Sequence, residues 1–165
     1  MPGARFCQAC GGALEQRDLF GKLRPCCPGC GFIHFEDPKV AAGVLVTRDD
    51  SILLTLRNHE PRMGYWSFPG GYVDRGENVE QAGAREVREE TGLEVEIDRL
   101  LGVFSGSNED VIFIAYQGHV VGGSLLAGDE ASDVAFFPMD RLPDLAFPHD
   151  LEVIARLRAD DRAEL

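Results

Sequence analysis

Glu86, Glu89 and Glu90 stand close together in Arg85-Glu86-Val87-Arg88-Glu89-Glu90. On a helix that turns about 100° per residue they share roughly a 100° arc, so a single turn carries three carboxylates. Like charges at these spacings repel unless a cation sits among them, and Arg85, one turn before Glu89, neutralises only part of the crowding. The remainder suits one or more hard divalent ions, because carboxylate oxygens are the ligands that Mg2+ and Mn2+ prefer. Taken alone, three helical glutamates read as a solvated acidic face. Any chemistry must therefore be argued from the residues around them.

A second cluster lies at the amino terminus. Cys7-Gln8-Ala9-Cys10-Gly11 and Cys27-Pro28-Gly29-Cys30-Gly31 are two Cys-x-x-Cys-Gly units, and with Cys26 they hold all the cysteines of the chain. Two residues between thiolates let one tight turn present both sulfurs to a tetrahedral ion, and the glycine that follows permits the positive-φ bend closing each knuckle. The expectation is a structural Zn2+ on Cys7, Cys10, Cys27 and Cys30. Pro28 fits the first central position only in the Cys27 register, which leaves Cys26 as the spare. A redox dithiol would need one such motif between a strand and a helix, whereas two motifs face each other here in a Gly- and Pro-rich segment.

The elements that must position these residues follow from pattern. Ala41 to Thr47 and Ser51 to Leu56 are apolar β-type runs joined by Arg48-Asp49-Asp50, which predicts two adjacent antiparallel strands. Pro61 to Gly71 is punctuated by proline and glycine and reads as loop and short strand. Asn78 to Glu90 has no proline and is rich in helix formers, with Gly92 where a C′ glycine belongs, which predicts a helix. Further strands are predicted at Leu93 to Ile97, Leu100 to Phe104, Val111 to Val121 and Val134 to Phe137, and a second helix at Leu151 to Arg158. Strands and helices mix without βαβ alternation, so an α+β class with a mixed sheet is expected.

Size and charge exclude other classes. The chain has 165 residues, room for one domain and a small appendage at roughly 100–200 residues per domain. Its net charge of −12 opposes the positive footprint of a nucleic-acid binder. No apolar run approaches the ~20 residues that cross a bilayer, and Met1 to Cys7 lacks the layout of a secretory signal. A cytoplasmic protein without membrane contact is the expectation.

The residues flanking the glutamates reverse the bland reading. Gly71, Glu77 and Arg85-Glu86-Val87-x-Glu89-Glu90-x-Gly92-Leu93 stand at every specified position of the signature Gly-x5-Glu-x7-Arg-Glu-U-x-Glu-Glu-x-Gly-U, where U is apolar. The chain thus resembles the Nudix hydrolases, and Trp66-Ser67-Phe68-Pro69-Gly70 looks like the usual lead-in. A cysteine ribbon running through Gly31 to Lys39 into the first strand is similar to the subgroup of NADH, FAD and ADP-ribose pyrophosphatases. Asp129-Glu130 and Ala135 to Pro143 resemble the later acidic loop and strand.

The resemblance implies an α/β/α sandwich over residues 38–165 behind a zinc ribbon over residues 1–37. It implies hydrolysis of a nucleoside diphosphate linked to another group, most simply an ADP-sugar or adenine dinucleotide, yielding AMP and a second monophosphate. Glu86 and Glu90 would be Mg2+ or Mn2+ ligands together with the Gly70 carbonyl, and Glu89 a ligand or the base. Glu130 is the other candidate base, while Glu77 and Arg85 would pair to hold the loop on the helix. Tyr72 would face a base, with Trp66 and Phe104 as weaker candidates, and His34 and His149 are read as structural. A homodimer is left open.

Other readings remain beside this one: a nucleoside triphosphate pyrophosphatase, a nucleotide-binding domain without turnover, and removal of a nucleotide cap from RNA. The signature has lost no carboxylate, which argues against the binding domain. Gly102 to Asn108 replaces the Ser-Gln-Pro-Trp segment of the NADH enzymes, which ranks FAD or ADP-ribose ahead of NADH.

Overall fold

The computed structural model describes residues 3–107 and 110–163, so Asn108 lies outside the described residues. They form two compact units, Met1–Asp37 and Pro38–Leu165.

In the first unit β1 (Glu15–Leu19) and β2 (Lys22–Cys26) form an antiparallel hairpin, paired from Glu15 with Cys26 to Leu19 with Lys22. Its two-residue turn, Phe20-Gly21, has positive φ at both positions (57° and 74°), as a turn that matches strand twist demands. The two knuckles repeat one geometry: Gly11 N–H donates to the Cys7 carbonyl at 2.8 Å and Gly31 N–H to the Cys27 carbonyl at 2.9 Å, both glycines having φ near 75°. Four sulfurs converge as a result. Cys7 and Cys30 Sγ are 3.6 Å apart, Cys10 and Cys27 Sγ 3.5 Å, and all four lie within 4.8 Å of one another. Four thiolates about 2.3 Å from one tetrahedral ion would stand ~3.8 Å apart, so the donor set fits zinc in type and spacing. Cys26 is buried outside this group, its thiol on the Cys27 carbonyl.

The second unit contains β3 (Lys39–Arg48), β4 (Ser51–Arg57), β5 (Trp66–Ser67), β6 (Gly70–Tyr72), α1 (Val79–Thr91), β7 (Leu93–Phe104), β8 (Val111–Gly123), β9 (Ala131–Pro138) and α2 (Pro148–Ala163). The sheet runs β5-β4-β3-β8-β7, with β6 also on β3 and β9 also on β4; only β3 and β8 are parallel. β3 and β4 read as continuous apolar runs because both of their faces are covered. Val44, Val46, Leu53 and Tyr116 pack with Val87 of α1, whereas Leu45, Ile52, Leu54 and Ala115 pack with Val153, Ile154 and Leu157 of α2. The period-2 alternation thus puts one helix on each face, an α/β/α sandwich.

Three expectations need correction. The hairpin of β3 and β4 pairs only Thr47 with Ile52 and Arg48 with Ser51 before the strands part. Into the gap enters the segment after them: β5 pairs with β4 (Thr55 with Ser67) and β6 with β3 (Ala42 with Gly71). The runs at Leu93 and Leu100 are one strand, β7, continued past Asp98-Arg99 through register shifts against β8. The second helix is also longer than expected, starting at Pro148.

One Zn2+ per chain is the expected content by native mass spectrometry, unchanged in Cys26→Ser. A Cys7→Ser variant should lose the metal and with it the order of the first unit, because binding energy there is folding energy.

Candidate functional site

The local cause of α1 is legible at both ends. Asn78 Oδ1 accepts from the N–H groups of Glu80 (2.9 Å) and Gln81 (3.4 Å), and Gly92 closes the helix at φ 68° with its N–H on the Arg88 carbonyl. Between them the acidic face is organised by Arg85. Its Nε and Nη2 grip Glu77 at 2.8 and 3.0 Å, Nη1 donates to Glu86 (2.6 Å) and Glu89 (2.9 Å), and Nη2 also reaches the Tyr72 carbonyl (3.1 Å). This fork raises the affinity of Arg85 for its proton and holds the Glu77 carboxyl below the usual range.

Glu86 lies against the backbone of β6. A Cβ on Gly71 would meet its carboxyl at 2.6 Å, so any larger residue there would push that carboxyl aside. Burial raises the Glu86 carboxyl despite Arg85, and the charges of Glu89 and Glu130 add to the rise. Glu90 points the other way, into the sheet. It is 9% exposed, accepts from the Thr55 hydroxyl (3.0 Å) and the Gly70 N–H (3.3 Å), and burial pushes it up to about 7.

The loop before β9 is strapped along the end of α1. Ser124, Leu126 and Gly128 donate N–H bonds to the carbonyls of Gly92, Thr91 and Glu90, groups that a helix end leaves unpaired. Gly128 passes so close to Glu89 that a Cβ there would overlap its carbonyl oxygen. The loop then delivers Glu130, whose carboxyl is 3.9 Å from His59 Nε2. Asn58 fastens it from the other side, donating Nδ2–H to the Asp129 carbonyl at 2.7 Å.

These groups line one cleft of about 1220 Å3. Gly70, Glu86, Glu89, Glu90, Glu130, Tyr72 and Phe104 all border it, as does Arg85. Glu77 stands behind Arg85. Trp66 does not line the cleft: it packs edge-on against Phe137 (4.7 Å), and its backbone bonds Asp144 and Ala146, so its apolar bulk serves the core instead of a ligand. His34 belongs to the first unit, where its N–H donates to the Pro25 carbonyl. His149, read as structural, lies on the cleft wall.

Sequence reasoning did not single out Arg57, His59, Phe113, Phe147 or Asp150, all of which border the cleft. One signal was available for the last two. Proline at the first helical position with an acid two residues on marks a helix start, and Asp150 Oδ2 accepts from the Phe147 N–H at 3.0 Å. As for metals, the thiols are the described donors that converge; the glutamates are drawn onto Arg85, Thr55 and Gly70, although as hard oxygen donors they suit Mg2+ or Mn2+ in type.

Comparison with known proteins agrees with this geometry. The NUDIX domain family matches residues 37–157. An ADP-ribose pyrophosphatase from Methanocaldococcus jannaschii is 44% identical over 117 residues, covering 68% of this chain and 69% of that protein. The NAD-capped RNA hydrolase NudC from Stutzerimonas stutzeri is 34% identical across 86% of this chain, which spans half of its length. The crystal structure of a NUDIX hydrolase from Nitrosomonas europaea superposes with a TM-score of 0.90 at 29% identity, covering 97% of this chain and 93% of that one.

Asp150 generates a pH dependence. It is 1% exposed, and burial raises it from 3.8 to about 7 against the opposing Phe147 N–H and the charge of Arg57. Its folded value lies above its unfolded one, so the fold keeps a proton that the unfolded chain releases. Stability should fall as pH rises from about 4 to about 7 and then level, by on the order of 4 kcal/mol from this group. Urea unfolding of Asp150→Asn across that window should show a correspondingly flatter profile than the parent protein.

Proposed function

This chain belongs to the NUDIX hydrolase family, and we propose that it hydrolyses the pyrophosphate bond of an ADP-sugar or adenine dinucleotide, releasing AMP and a second monophosphate. The observation that carries the reading is that Glu86, Glu89, Glu90 and the loop carboxylate Glu130 all line one cleft that also bears aromatic side chains. A volume of about 1220 Å3 exceeds the ~300–1,000 Å3 of a site for one drug-sized molecule, as a two-part substrate requires.

The pyrophosphate bond is inert because its charged oxygens repel a nucleophile. Mg2+ or Mn2+ held by Glu86 and Glu90, with the Gly70 carbonyl, would screen that charge and make water more acidic. The chain's own residues do the rest. Thr55 and the Gly70 N–H fix the Glu90 carboxyl, and Gly71 lets Glu86 lie flat on the floor of the cleft. Glu89 is exposed and serves as third ligand or general base; Glu130, on a loop tied at both ends, is the alternative base. The Cys7, Cys10, Cys27 and Cys30 set holds Zn2+ as a substitute for a core too small to form alone.

Among substrates, FAD and ADP-ribose rank ahead of NADH. The identity to an ADP-ribose pyrophosphatase and the replaced Ser-Gln-Pro-Trp segment both support that order. Because the chain spans half of the NudC relative, that protein's action on capped RNA is not carried over.

Chromatography of products from FAD and ADP-ribose should show AMP with FMN or ribose 5-phosphate. Release of pyrophosphate from nucleoside triphosphates with both dinucleotide and ADP-sugar untouched would overturn the substrate assignment. Glu89→Gln and Glu90→Gln should each lower kcat by at least about 10²-fold with the fold retained. If Glu130→Gln loses more than Glu89→Gln and its pH–rate profile loses the acidic limb, the base is on the loop.

A further inference from the structure

The cleft has a wall that the metal chemistry leaves unused. Phe113 of β8 and Phe147 and His149 at the start of α2 stack on one another. The Phe113 and His149 ring centres are 4.9 Å apart with planes at 30°; those of Phe147 and His149 are 5.3 Å apart with planes at 5°. All three residues are half-buried and border the cleft.

The stack is held from outside the cleft. Phe68, buried in the core, meets Phe113 at 5.6 Å. Asp150 fixes the turn that carries Phe147 and His149 through the Phe147 N–H. The Arg57 guanidinium lies 5.2 Å from the Phe147 ring centre while bonded to the Pro61 carbonyl and to His59. A planar ligand would find this wall already ordered, which lowers the cost of binding. Tyr72 offers the contrast. It is 53% exposed, so a base stacked there would stay largely in water, whereas the half-buried wall shelters it.

We propose that the Phe113–His149–Phe147 wall is the subsite for the nucleobase of the nucleoside diphosphate half, an assignment that rests on the pyrophosphatase reading for the identity of its ligand. Stacking on aromatic faces recognises any base by its π-surface, and the half-buried imidazole adds a polar edge within an apolar stack. The base then lies at the α2 end of the cleft, with its phosphates directed toward α1. The exposed Tyr72 is left to the group beyond the pyrophosphate.

The test is equilibrium binding of AMP and of ribose 5-phosphate to the full chain by calorimetry, in the parent protein and in Phe147→Leu, His149→Leu and Tyr72→Leu. Unchanged melting temperatures identify variants that remain folded. AMP affinity should fall about ten-fold in Phe147→Leu and His149→Leu and less than two-fold in Tyr72→Leu, with ribose 5-phosphate binding alike in the parent and both α2 variants. AMP bound equally by the parent and both α2 variants, AMP lost only in Tyr72→Leu, or a parent that binds no AMP would each overturn the assignment. Because the readout is binding, failure of the catalytic reading is separable: the expected AMP pattern without turnover of any pyrophosphate sinks that reading alone, and turnover with normal AMP binding in both α2 variants sinks this one alone.

Discussion

Three carboxylates on one helical turn repel one another, and a single guanidinium decides where two of them go. Every N–H of Arg85 has an acceptor: two on Glu77, one each on Glu86 and Glu89, and one on the Tyr72 carbonyl. The side chain therefore joins α1 to the loop that precedes it and to the end of β6 in one network. Fork geometry of this kind favours arginine over lysine, whose point charge would satisfy one carboxylate and leave the loop loose. Glu90 is outside the reach of that network. Its burial is tolerated because a hydroxyl and a backbone N–H meet it, and because its proton is held to about neutral pH.

The sheet supplies the floor beneath these charges by coming apart. β3 and β4 separate after two residue pairs, and β5 and β6 fill the opening, which brings Ser67, Gly70 and Gly71 beneath the acidic face of α1. Each new short strand takes over part of the pairing of the longer one beside it: β6 covers Ala41 to Gly43 of β3, and β5 covers Thr55 and Leu56 of β4. Beyond α1 the polypeptide returns along the helix end, giving its N–H groups to orphan carbonyls and delivering Glu130. Rigid elements carry the helix carboxylates, and pinned loops carry the groups beside them.

The chain separates its two donor chemistries by unit. Four soft sulfurs stand in the first, on knuckles closed by glycine, and hard oxygens stand in the second, on a helix. An acidic cleft repels polyanions and attracts divalent ions, so in the proposed reaction cation and substrate are expected to enter together.

Local chemistry in the sequence determined much of this protein. The two Cys-x-x-Cys-Gly units, the helix with Asn78 before it and Gly92 after it, and the three-glutamate face depend on spacing within a turn or two, and spacing is written in the chain. The pairing of Glu77 with Arg85 was legible only through a family pattern, since seven residues of intervening chain do not dictate a contact. Tertiary structure alone decided the rest. Whether an apolar run pairs with its neighbour or is split by a later segment depends on competition among strand edges, so β3 and β4 read as a full hairpin. Trp66 opens the two-residue β5 and Phe147 precedes α2, and although the start of α2 is marked locally, nothing local says which of the two rings faces the cleft. One turns to Phe137 in the core and the other to the cleft because of where α2 docks, a result of packing Val153, Ile154 and Leu157 against the far face of the sheet. The aromatic wall is assembled from residues 113, 147 and 149, which come together only when that packing is complete.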